Sequence, residues 1–118
     1  MTNYRIRHCC AASLLLLAFS ATVSAGEPPA ALAPVLELGR LNGIALACKQ
    51  PALTTRLRQA MVYGAPKSRE VGEAFEQATN QSFLAQGQPG SSCPEGRQLA
   101  ERVELGIAAL KAAFPAGQ

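Results

Sequence analysis

Two cysteines, Cys48 and Cys93, and eight glutamates are the first residues to weigh for chemistry in this chain. The cysteines stand 45 positions apart, far from the Cys-x-x-Cys spacing of a redox pair. Beyond residue 25 there is no histidine, aspartate or tryptophan. Ser-His-Asp and Cys-His catalysis therefore have no base, and a thiol pair has no histidine to complete a metal site. Among the glutamates, Glu70, Glu73 and Glu76 recur at i, i+3 and i+6, which gathers them on one helical flank. A buried carboxylate pair could perform acid–base work. Nothing apolar is spaced to bury these three, and Lys67 and Arg69 stand beside them, so they read as a solvated charged face. No glycine-rich phosphate loop follows a strand, because no segment has strand periodicity. The residues point away from an enzyme, and no cofactor or metal site is expected.

Those absences concern the chain after residue 25 because residues 1–25 have the form of a cleavable export signal. Arg5 and Arg7 form a positive start, residues 11–23 are uncharged and apolar, and Val23-Ser24-Ala25 offers the small residues a signal peptidase reads. The apolar run is about 13 residues, whereas a spanning helix needs roughly 20. No transmembrane segment is expected after cleavage at Gly26. Cys9 and Cys10 depart with the signal, leaving Cys48 and Cys93 in an oxidising space, periplasmic or secreted, where a disulfide is the expected state. Removing 25 of 118 residues leaves 93, with nine basic residues against eight glutamates. So small a positive excess does not announce a nucleic-acid partner.

The expected domains are the signal (1–25), a flexible leader (26–33) and one helical domain (34–118). Pro34 suits a first helical turn, and Val35, Leu38, Leu41, Ala45 and Cys48 follow at steps of three or four. A second helix starts near Pro51, shows Leu53, Leu57, Ala60 and Met61 on one side, and breaks at Gly64-Ala65-Pro66. Ser68 caps a third helix, whose stripe is Val71, Phe75, Ala78, Ser82 and Ala85, with Gly87 as its stop. A loop over 87–92 leads to a fourth helix, opened by Pro94 and capped by Ser92 or Cys93. Its stripe, Leu99, Val103, Ile107, Leu110 and Phe114, is the best amphipathic pattern in the chain. The fold class is all-α: a small up-down four-helix bundle stapled by one disulfide. In that topology the end of helix one and the start of helix four share a pole, which brings Cys48 to Cys93.

Three surface features stand out. Gly39, Gly43 and Ala47 form a line of small residues along helix one. In water such a line suits a close helix crossing, with a groove or self-association face as the alternative. Glu37, Arg40 and Asn42 argue against a membrane version. Arg56, Arg58, Lys67 and Arg69 flank the Gly64-Ala65-Pro66 turn and make that pole comparatively basic. Their ordinary role is solvated charge; their functional role is docking of an acidic partner or anionic head groups. Thr79-Asn80-Gln81-Ser82 reads as a polar helix face, with a buried Asn80 fixing helix register as the alternative. The expected function is that of a small exported binding or chaperone-like protein of the cell envelope, working by contact with another envelope protein. The alternatives are a specific inhibitor or immunity-type partner and, more remotely, an enzyme.

Overall fold

Proline and capping side chains decide where the helices begin. The computed structural model describes residues 29–115. A 3₁₀ turn (Ala30–Leu32) leads into α1 (Ala33–Ala47), followed by α2 (Pro51–Gly64), α3 (Arg69–Gln86) and α4 (Gly96–Ala113). The expected signal, residues 1–25, lies outside the described residues. Residues 30–33 of the expected leader are helical, and Leu32 packs against the core. Pro34 and Pro51 occupy first turns, where a missing N–H costs nothing. The Ser68 hydroxyl accepts the Val71 N–H at 3.3 Å and caps α3, with Glu70 in the first turn.

The start of α4 differs from the expectation. Its cap is neither Ser92 nor Cys93 but Glu95, whose carboxylate accepts the Gln98 N–H at 3.0 Å, and the helix begins at Gly96 rather than Pro94. Ser92 and Cys93 lie ahead of this start, and the Glu95 carboxylate both fills the donor and meets the positive end of the helix dipole.

Helix α1 is the hub. Val35, Leu38, Gly39, Leu41, Asn42, Gly43, Ile44 and Ala45 are all buried, so almost every side of the helix is covered. A helix covered on most of its circumference belongs inside a structure, and the Glu37–Arg40 ion pair marks the flank that reaches solvent. Ala30–Ala47 is long and apolar enough to cross a membrane by length and composition. Here that apolarity is used in packing against each of the other three helices.

Chain direction follows from named contacts. Gly39 faces Phe75 and Ala78, and Gly43 faces Thr79 and Phe83, so α1 and α3 run parallel. Gly106 faces Leu38 and Leu41 while Cys48 meets Cys93, so α1 and α4 run antiparallel. Arg56 reaches Glu104 and Gly64 reaches Leu110, which sets α2 parallel to α4. The order is therefore up, down, up, down. The cross-section is not a square, however: α3 packs chiefly on α1, and α2 and α3 make few contacts with each other.

The core is Val35, Leu38 and Leu41 of α1 with Leu57 of α2 and Leu99, Val103 and Leu110 of α4, all fully buried. From α3 only Val71 is buried. Cys48 and Cys93 are bridged with Cα atoms 5.7 Å apart, within the 4.4–6.8 Å range that a disulfide spans.

Candidate interaction site

Glycine sets the geometry of the α1–α3 contact. A Cβ on Gly39 would lie 2.5 Å from the Phe75 carbonyl oxygen and 2.8 Å from Ala78 Cβ. One on Gly43 would collide with the Thr79 carbonyl oxygen and lie 2.7 Å from the Phe83 nitrogen. Backbone meets backbone at both places, and both glycines are buried against α3. Ala47, third in the line, is only partly buried.

The basic pole divides. Arg56 and Arg58 are two residues apart on a helix, about 200° around its axis. Arg56 faces α4 and donates from Nε and Nη2 to the two Glu104 carboxylate oxygens at 2.9 and 3.0 Å. These bonds hold the Glu104 carboxyl below its ordinary value and raise the Arg56 guanidinium. Arg69 pairs with Glu73 at 2.6 Å along α3. The Lys67 ammonium donates to the Val62 carbonyl at the end of α2. Arg58 has no carboxylate within ion-pair distance among the described residues. Two of the four expected docking cations are thus neutralised by neighbours, and two, Arg58 and Lys67, share one hollow.

That hollow is an open cleft between α2 and α3, with a volume of about 690 Å³. Its apolar walls are Leu46, Met61, Val62, Val71 and Phe75, and its floor includes Asn42 and Thr79. It exists because α3 leans on α1 and leaves α2 apart. Val62 remains 55% exposed at its edge. Glu70, Glu73 and Glu76 are exposed, and of these only Glu76 lines the cleft.

Asn42 is the polar residue that the sequence reading passed over. Asn80 is exposed, so it does not set helix register from a buried position. Asn42 is 2% exposed, and its Nδ2 donates to the Thr79 hydroxyl at 3.3 Å. Its Oδ1 is enclosed and without a partner. Exchanging the two amide ends leaves the same deficit, because a single hydroxyl serves only one of them. An unpaired buried amide oxygen costs roughly 1–3 kcal/mol. Asn42 lies between the buried Leu41 and Gly43, on the side of α1 away from the half-exposed Glu37–Arg40 pair.

A second hollow, of about 510 Å³, lies between α2 and α4 beside Arg56, Tyr63, Lys111 and Phe114. There Glu104 already answers the arginine. Among the described residues no three His, Cys, Asp or Glu side chains gather as metal ligands would. No protein family, curated protein or solved structure matches the chain.

Proposed function

We propose that this is a small exported binding protein of the cell envelope that works by contact with another exported protein, and that the α2–α3 cleft is the contact site. The observation that carries the reading is the pairing of an uncovered apolar hollow with cations that no carboxylate among the described residues neutralises. A bundle built only for stability would close α2 onto α3, since apolar burial returns about 25 cal/mol per Å². The disulfide supports the compartment, because such bonds persist in oxidising spaces. Residues 1–25 support the route by which the chain reaches that space.

The test is a photo-reactive amino acid placed at Val62 on the cleft edge and, separately, at Ala108, which is exposed on α4. Irradiation of cells exporting each variant should give a discrete adduct from position 62 that is missing from position 108. No adduct from the cleft, or the same adduct from both positions, contradicts the reading.

A further inference from the structure

The cleft is longer than its widest part. Leu46 and Arg58 also line a shallower depression at the α1–α2 corner, together with Lys49, Gln50, Thr54 and Thr55. The two hollows adjoin at Leu46 and Arg58 and succeed one another along α2, a track from Pro66 toward Lys49. Lys67, Arg58 and Lys49 are spaced along it, and none of them is ion-paired among the described residues. Among the described residues the only carboxylate lining it, Glu76, stands on the α3 side.

We propose that this track holds one amphipathic helix of a partner protein, with its acidic flank turned toward α2 and its apolar face on Met61, Val71 and Phe75. The proposal rests on the contact reading above and names the chemistry of the partner. A helix-in-groove complex reads apolar anchors at i, i+3, i+4 and i+7, and those steps match the walls of a groove between two helices. Helix α2 has 14 residues and is about 21 Å long, room for a partner segment of three to four turns. The spacing of the cations decides between a peptide and a single-chain lipid. A lipid carries its charge at one end, whereas these three cations lie along the whole track. Glu76 opposite them fixes orientation, since an acidic flank turned toward α3 would meet a like charge.

The experiment uses the disulfide-bonded exported chain and a panel of labelled synthetic helical peptides of about 14 residues. Each carries leucine anchors and a glutamate flank and has a twin with lysine in place of glutamate. Binding is followed by fluorescence anisotropy, with dodecanoate as a competing single-chain amphiphile. Glutamate peptides should bind saturably and about tenfold or more tighter than their lysine twins, and should weaken as salt shortens the Debye length from about 14 Å to about 5 Å. The double variant Lys49→Glu, Arg58→Glu should abolish or invert that preference, while Arg97→Glu with Arg102→Glu, an equal change of charge on α4, should leave it intact. Melting curves of each variant show that the fold persists. Equal affinity for both twins, no saturable binding by any peptide, or displacement by dodecanoate at lower concentration overturns the proposal. If an adduct still forms from position 62 in cells, only the partner's chemistry is wrong; if none forms, the contact reading fails too.

Discussion

At Gly39 and Gly43 a hydrogen atom stands where any other residue would drive a carbon into the backbone of α3. Gly43→Ala should therefore destabilise by roughly 1–3 kcal/mol, because backbone cannot yield as a side-chain tip can. Gly72, on the exposed face of α3, has nothing within 4 Å of a built Cβ. The same substitution there should stabilise by about 0.5–1 kcal/mol, the ordinary helix preference for alanine. Thermal melts of the two variants measure both, and shifts of the same sign would contradict the account. The pair Arg56–Glu104 is the other residue-scale device. Glu104 is held below its ordinary value of 4.5 mainly by the hydrogen bond from Arg56, and then by the charges of Arg56 and Lys111. Its contribution is complete above that ordinary value and is lost as pH falls through the lower folded value. The pair is exposed, so the effect on stability should be small and sharply reduced by salt. A carbon-detected titration of the Glu104 carboxyl should find its midpoint below that of an unpaired glutamate and moved upward in Arg56→Gln. An unmoved midpoint would mean that the bidentate contact does not persist in solution. The line of small residues was legible in the sequence because its spacing is a backbone property. The burial of Asn42 is less legible, because a single stripe of apolar residues leaves it outside the core while packing covers most sides of α1.

Among the elements, α1 and α4 were the most readable and the ends of helices the least. Pro34, Pro51 and Ser68 mark their starts by local chemistry that needs no tertiary context. The end of α1 carries no such mark. Lys49 takes the left-handed conformation (φ 55°) that glycine usually supplies, while the Gln50 N–H bonds to the Ala45 carbonyl at 2.8 Å and the Lys49 N–H to Leu46 at 3.2 Å. This is a Schellman closure built on the wrong residue type, invisible to a search for glycine. Lys49→Gly should stabilise the bundle by up to about 1 kcal/mol by removing the left-handed penalty. A calorimetric scan decides it, and a loss of stability would show that the lysine side chain does more for the fold than its backbone costs. The division of the basic pole was also beyond the sequence. Arg56 and Arg58 are neighbours in a list, but a helix places them on nearly opposite sides, and only tertiary packing supplies Glu104 to one of them. The α2–α3 cleft arises in the same way, from α3 choosing α1 over α2.

For the whole molecule, one bridge fastens the end of the hub helix to the beginning of the last helix. Closing a loop of 45 positions by the chain-entropy argument contributes about 4 kcal/mol. Domains of this size total only about 5–15 kcal/mol. Reduction, or Cys48→Ser with Cys93→Ser, should therefore lower the denaturant midpoint severely while leaving a helical unfolding baseline, and an unchanged midpoint would show that packing alone holds the bundle. The up-down order and the staple were legible together, since the topology places both cysteines at one pole. The uneven cross-section was not, because helical periodicity gives the width of an apolar face and not its neighbour. That cross-section underlies the central claim, that the molecule acts through the cleft it leaves open. The most direct measurement is an amide chemical-shift map of the labelled protein during titration with the acidic helical peptide. The account predicts progressive, saturable shifts confined to the corner from Leu46 to Gln50, to α2 from Thr54 to Val62, to the turn at Ala65–Ser68 and to α3 from Val71 to Asn80. Shifts centred on the outer face of α4, or spread without saturation over the whole chain, would contradict it.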